Sequence, residues 1–354
     1  MLKSKIIGTG SYIPTEIIPN SYFLNHNFFG TDKVEINQCP ETIIQKFSAI
    51  TGIKSRRYAS KGLTASDMAT IAAEQAISNA LVDPELIDII IVAHNYGDIK
   101  YEGSPRDMVP SLAARVKHNL GIKNISCIPY DLIFGCPGWL QGLIQCDLAI
   151  RSGVAKTCLV IGAETLSRVI DSSDRDSMIF SDGAGACIIQ VNTTSDSGII
   201  NSVVRSDTDI ELEFIYSAGS NKGEKEDSEY IKMKGRKVYE YALKNVPQAM
   251  KQCFDHSGNK IESLRMILIH QANEKMDEAI VKRFFELYGI EDLPQNIMPM
   301  NISSMGNSSV ATIPTLLHQV LDNQIDTYNI SDGDIILFAS VGAGMNINAI
   351  TYKW

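Results

Sequence analysis

Two stretches of this chain run through the same order of elements. The first passes from a helical pattern, "ASDMATIAAEQAISNAL", into the apolar strand "IDIIIVAHN", and later reaches "KTCLVIGAE" and the glycine-rich "DGAGACIIQV". The second passes from "YEYALKNVPQAMKQCF" into "LRMILIHQAN", and later reaches "GDIILFASVGAG" and the closing strand "MNINAITYKW". Each half offers a crossover helix, buried strands and a glycine turn between two strands. Near-continuous apolar strands alternating with helices predict parallel sheet covered on both faces. Two such halves predict an α/β fold of five layers, α/β/α/β/α, with internal pseudo-twofold symmetry. The polar stretch "QVNTTSDSG" (190–198) marks the division, giving halves of 1–195 and 196–354.

Composition narrows what such a fold does. With 44% hydrophobic and 21% charged residues, the 354-residue chain has material for a full core. A net charge of −9 gives no electrostatic case for nucleic acid or an anionic membrane surface. No apolar run reaches bilayer length, and "MLKSKIIGTGSYIP" reads as a strand and turn rather than a signal peptide. A cytoplasmic location is the expectation. The loop "YSAGSNKGEKEDSEY" (216–230) is charged and reads as solvated surface.

Seven cysteines without any C-x-x-C argue against a disulfide framework or a structural zinc site. Cys127, Cys158 and Cys187 lie in strand-like runs, and Cys146 lies inside a helix. Cys136 differs. In "FGCPGW" it stands between a strand and a helix whose apolar residues Trp139, Leu140, Leu143, Ile144 and Leu148 recur at roughly helical spacing. Pro137 suits the first helical position and Gly153 the stop, which places Cys136 at the N-cap. There, free N–H groups and the helix dipole favour a thiolate. A small buried core residue is the alternative for any free cysteine.

Partners decide between the two. Of six histidines, His94 and His270 each end an apolar strand, where sites form in α/β sheets. His270 and Cys136 read as matching strand-to-helix junctions, one per half, that a pseudo-twofold axis brings face to face. A neutral imidazole activates a thiol. In "NISSMGNSSVATIP", Asn307 reads by itself as a helix N-cap, with Ser308 and Ser309 in the first turn. The glycine turn "SVGAGMN" is a tight hairpin or a backbone N–H donor for an oxyanion.

Taken in order, G-C-x-G, H-Q-A-N, G-N-S-S and the late G-A-G resemble the β-ketoacyl-acyl-carrier-protein synthase III family of the thiolase superfamily; "DRDSMIFSDGAGA" and "YIKMKGRKVYEYA" resemble further segments of it. The resemblance covers nearly the whole chain and implies a thiolase-like fold and a homodimer. It implies that Cys136 accepts an acyl group from an acyl-CoA or acyl-carrier protein. His270 and Asn307 then promote decarboxylation of a malonyl-carrier thioester, whose carbanion attacks that acyl group. Backbone N–H groups of Cys136 and Ala343 would hold the oxyanion, and Asn273 would support the site by hydrogen bonding. Arg168 matches a position that binds the CoA adenine, and Lys275 a basic position at the mouth. No metal or redox cofactor is implied.

Some residues depart from that pattern. Lys46 and Ile50 stand where acetyl-CoA-using members have a tryptophan and an arginine, which favours another carrier for the primer. Trp139 predicts a reshaped pocket beside the cysteine. The long segment 94–111 corresponds to a region that lines the partner's acyl pocket, and predicts altered chain-length selection. Acyl transfer to oxygen or nitrogen, head-to-head condensation, a Cys-His-Asn thiol hydrolase and a non-catalytic interaction protein are the competing functions. An intact Cys, His and Asn favours decarboxylative condensation.

Overall fold

The computed structural model describes residues 2–223 and 228–354. The N-terminal half carries strands β1 (Lys3–Tyr12), β2 (Glu16–Pro19), β3 (Ser55–Tyr58), β4 (Ile89–Ala93), β5 (Ile128–Leu132), β6 (Thr157–Thr165) and β7 (Asp182–Asn192). Its helices are α1 (Pro40–Thr51), α2 (Ala65–Ala80), α3 (Leu112–Asn119) and α4 (Gly138–Arg151). The C-terminal half carries β8 (Gly198–Ser206), β9 (Ile215–Ala218), β10 (Tyr230–Met233), β11 (Leu264–Ile269), β12 (Ile335–Gly342) and β13 (Asn346–Lys353). Its helices are α5 (Gly235–His256), α6 (Glu274–Glu286), α7 (Ile302–Met305) and α8 (Thr312–Leu321).

The main sheets run β1-β7-β6-β4-β5 and β8-β13-β12-β11, the same winding in each half with β5 added to the first. The chain passes from one sheet to the other between Asn192 and Gly198. Alternation along the strands sorts the layers, since successive side chains face opposite ways. In the first sheet Ile90, Val92, Leu159 and Ile161 pack on α2 and α3, whereas Ile91, Cys158 and Val160 face inward to α4 and α8. In the second, Met266, Leu268, Ile336 and Phe338 face the same inner helices, and Ile267, Ile269 and Leu337 pack on α5 and α6. The five layers are therefore α2/α3, sheet, α4/α8, sheet, α5/α6.

The sheets are mixed rather than parallel. β4 runs parallel to β5 and β6, and β11 to β12, but β7 is antiparallel to β1 and β6, and β13 to β8 and β12. Only Ala343–Met345 separate β12 from β13, too few residues for the crossover that parallel pairing requires.

The symmetry also pairs the junctions differently from the sequence expectation. His270 follows β11, the counterpart of β4, so its equivalent is His94. Cys136 precedes α4, and its equivalent is the 307–309 turn that precedes α8. The expected exposed loop 216–230 is in part a hairpin, with β9 pairing antiparallel to β10, while 224–227 lie outside the described residues.

Candidate active site

Four strand and helix ends converge between the sheets. At the end of β5 the chain turns through Gly135, whose φ of +65° is easy for glycine alone. A Cβ there would stand 2.7 Å from the Ala343 nitrogen, so this turn lies directly on the glycine turn after β12. Cys136 follows. The N-cap is Pro137 and helix α4 starts at Gly138, so the thiol stands one residue before the expected position.

His270 leaves β11 with its backbone N–H donating to the Ala339 carbonyl at 2.9 Å. The next residue fixes what comes opposite. Buried Gln271 donates to Pro299 O and accepts from the N–H groups of Asn301 and Ile302, which ties the strand end to the segment leading into α7. Beyond α7, Asn307 is clamped on both sides of Phe180: its N–H donates to Ile179 O and its carbonyl accepts from Ser181 N–H, each at 2.9 Å. The side-chain Oδ1 of Asn307 accepts from Ser309 N–H at 2.8 Å, which leaves the Nδ2 donors as the free end of the amide.

Cys136, His270, Asn307 and Ala343 all line one cavity of about 270 Å³. Burial lowers the His270 pKa to about 4, so the ring is neutral at physiological pH and carries a single N–H. Its Nδ1 is buried without a partner among the described residues. Burial pushes the Cys136 thiol up to about 11, against a hydrogen bond from Ser309 that pulls it down. The resting nucleophile is thus a thiol, contrary to the thiolate expected from a helix start, because it precedes the helix and desolvation dominates.

The remaining sequence-predicted residues lie elsewhere. Asn273 is the N-cap of α6, its Oδ1 accepting from Met276 N–H at 3.0 Å, and it makes no hydrogen bond to the three site residues among those described. Arg168 is buried and donates to the carbonyls of Ile99 and Ser60, so it braces the loops of the N-terminal half instead of facing a ligand. Lys275 is exposed on the first turn of α6. Trp139 points away from the cavity: its indole donates to Val160 O at 3.3 Å and its ring packs edge-on against Phe338 in the inner core.

Other residues at the site carry no local sequence pattern that marks them. Tyr96 and Arg106, from the 94–111 segment of the same chain, reach this cavity, with Arg106 stacked 4.7 Å above the Tyr96 ring. The segment is pinned by an Asp98–Asp107 bridge and by Arg115, which pairs with both carboxylates. Tyr216 and Ser217, read as solvated loop, line the cavity from β9. On β10, buried Lys232 pairs with Asp171 and Asp174. Ser309 reaches the sulfur, its Oγ donating to Cys136 Sγ at 3.3 Å. Behind it stand Asn95 and the buried acid Glu164; an acid closing the otherwise apolar run "TCLVIGAE" was the available hint.

The sequence models for 3-Oxoacyl-[acyl-carrier-protein (ACP)] synthase III and for its C-terminal part match residues 130–208 and 254–354. The beta-ketoacyl-[acyl-carrier-protein] synthase III of Prochlorococcus marinus (strain NATL2A) is 31% identical over 98% of this chain and 95% of its own length. The crystal structure of the 3-oxoacyl-[acyl-carrier-protein] synthase III of Aquifex aeolicus VF5 superimposes with a TM-score of 0.81 at 29% identity, over 99% of this chain and 100% of that one. The priming beta-ketosynthase of the R1128 polyketide biosynthetic pathway gives a TM-score of 0.80 at 25% identity, over 99% and 96%. With its nine-stranded double sheet and a cysteine, a histidine and an asparagine meeting in one cavity, the chain belongs to the β-ketoacyl-[acyl-carrier-protein] synthase III family, whose members are acyl-transferring condensing enzymes.

Proposed function

We propose that the chain loads an acyl group on Cys136 and condenses it with a malonyl-carrier thioester, losing CO₂. The convergence of Cys136, His270 and Asn307 on one cavity carries this reading. In the first half-reaction Sγ attacks the primer thioester carbonyl; the carrier thiol leaves with the proton, and an S-acyl cysteine remains. In the second, the bond between the malonyl α-carbon and its carboxylate breaks and CO₂ departs. The electron pair passes into an enolate whose oxygen accepts from one N–H of His270 and one of Asn307 Nδ2. A neutral ring suits this role, because it donates without giving up the proton. The enolate carbon attacks the acyl carbonyl, backbone N–H groups of Cys136 and Ala343 hold the oxyanion, and collapse expels the cysteine sulfur. All of these steps are proton, acyl and CO₂ transfers, which the side chains present can serve without a metal or redox cofactor.

The working unit in this reading is a homodimer, and the primer comes from a carrier protein more readily than from CoA. The family resemblance supports the first and the departures at Lys46 and Ile50 the second.

Mass spectrometry of Cys136 with acyl-carrier thioesters tests the assignment. Cys136→Ser is expected to abolish labelling. His270→Ala and Asn307→Ala are expected to accept acyl groups yet to decarboxylate malonyl thioester about a hundred- to a thousandfold more slowly, the usual loss for one oxyanion donor. Wild-type decarboxylation by either variant refutes the role.

A further inference from the structure

A hydrogen-bond chain runs from a buried acid to the nucleophile. Glu164, at the inner end of β6, accepts from Asn95 Nδ2. The same Nδ2 donates to Ser309 Oγ at 3.1 Å, and Ser309 Oγ donates to Cys136 Sγ at 3.3 Å. Counting hydrogens fixes the direction of this chain. A primary amide has two N–H groups and a hydroxyl has one O–H. With one amide hydrogen on Glu164 and the other on Ser309, the serine oxygen is already an acceptor, and its only hydrogen is left for the sulfur. Reversing the Asn95 amide would put its oxygen opposite both Glu164 and Ser309. The serine would then donate to Asn95 and give the sulfur nothing. With any Glu164 proton on its other oxygen, Oε1 is an acceptor in both protonation states, and the reversed amide would set two acceptors against each other. Ser309 is also held in the left-handed region, at φ +52°, a conformation that costs a non-glycine residue energy and occurs where surrounding structure imposes it.

We propose that Glu164 is a positioning residue for the nucleophile: through Asn95 it locks the Ser309 hydroxyl as a permanent donor to Cys136 Sγ, which favours the thiolate when the thiol reacts. The inference rests on the reading of Cys136 as nucleophile only for its use, since thiol reactivity can be measured without any substrate. The acid is one hundredth exposed, and burial raises its pKa to about 8. Near neutrality it is mostly uncharged and adds little repulsion to the sulfur. The groups around it are few. Asp182 on β7, Tyr96 from the 94–111 segment and Cys136 itself interact with it electrostatically. Asp182 is held by Ala59 N–H and Ser167 beside Arg168, and His270 across the cavity stays neutral. Once ionised above about pH 8, Glu164 is one of the causes that hold the Cys136 pKa up, so its ionisation opposes that of the thiol.

The test is the rate of Cys136 alkylation by iodoacetamide between pH 7 and 10, followed by peptide mass spectrometry. In the wild type, the logarithm of the rate is expected to rise with pH, bend downward near pH 8 and rise again. Glu164→Gln keeps an acceptor for Asn95 and removes the charge; its profile is expected to rise without the bend and to lie about three- to tenfold above the wild type at pH 9.5, the size of shift expected from one nearby charge. Glu164→Leu removes the acceptor and is expected to slow alkylation about tenfold at pH 7.5, the worth of one hydrogen bond. Ser309→Ala should match that loss, and the Glu164→Leu/Ser309→Ala double variant should be no slower than either single variant. A bend that persists in Glu164→Gln, wild-type alkylation in Ser309→Ala, or additive losses in the double variant would overturn the proposal. If the Leu variant does not fold, the Gln profile and Ser309→Ala still decide. A protein that follows this pattern but takes no acyl group from any thioester keeps the lock and loses the condensation reading.

Discussion

Gly342 shows how little room separates the two halves at the single-residue level. Its φ of −165° is open to any residue, so only space demands glycine there. An added Cβ would stand 2.4 Å from the Cys136 nitrogen and 3.0 Å from its Cβ. The close approach puts the backbone of Cys136 beside that of Ala343, where two N–H groups can share one oxyanion. Gly342→Ala is expected to push the turns apart, lowering stability by about 1–3 kcal/mol, as overpacking does. The larger effect should fall on Cys136 loading, with a drop of tenfold or more. A thermal melt and single-turnover labelling check the two effects separately; unchanged loading would show that the contact does not shape the oxyanion site. Cys136 and His270 were legible in the sequence because each interrupts a local pattern, a strand end before a helix or loop. Asn95, Glu164 and Ser309 were not, because their contacts span 69 and 214 residues of sequence and leave no local signature.

At the scale of elements, β5 is the exception to the symmetry. It pairs with β4 on one side and, among the described residues, has no strand on the other. An unpaired edge presents a row of backbone donors and acceptors, and proteins cover or charge such edges. Here the edge is apolar: Ile128 on the strand is 59% exposed, as is Ile133 just beyond it. Tyr130 is tied to Gln145 of α4, and Leu148, one turn further along that helix, is also exposed. A second copy pairing its own β5 about a twofold axis would cover this edge and leave no sheet end open, which the symmetry of a closed dimer permits. The expected result is a dimer at micromolar concentration by light scattering, with Ile128→Asp shifting the mass toward the monomer. A wild-type monomer at that concentration would contradict the reading. The element order and the five layers could be read from the chain, because helix and strand periodicities and the duplicated order are local. Strand direction could not. Parallel pairing was inferred from apolar runs, but burial on both faces makes a strand apolar whichever way it points.

The whole molecule decides where a primer enters. Three positions that the resemblance links to CoA recognition are committed elsewhere or changed. Arg168 is committed to backbone carbonyls inside the N-terminal half, and Lys46 donates to Gln38. Lys46 offers no aromatic face for adenine, and Ile50, more than half exposed on the last turn of α1, offers an aliphatic side chain where a cation would meet the CoA phosphates. That turn abuts α6, since a Cβ on Gly52 would collide with the Glu274 side chain, and α6 also carries exposed Lys275 and the cavity-lining Met276. The surface beside the cavity thus keeps a cation and loses a stacking platform. An aromatic platform for one base is worth about 1–3 kcal/mol, so its absence weakens nucleotide binding about ten- to a hundredfold. In the proposed reaction a carrier protein would need no adenine contact, because its phosphopantetheine arm would enter the same cavity while its own surface docked outside. Cys136 is therefore expected to be loaded faster from an acyl-carrier protein than from the matching acyl-CoA. Single-turnover loading of both donors at equal concentration, with the acyl-cysteine quantified by mass spectrometry, makes the comparison. Introducing Lys46→Trp should narrow the gap by restoring stacking. Equal or faster loading of the unmodified protein from acetyl-CoA would show that positions 46 and 50 do not select the carrier.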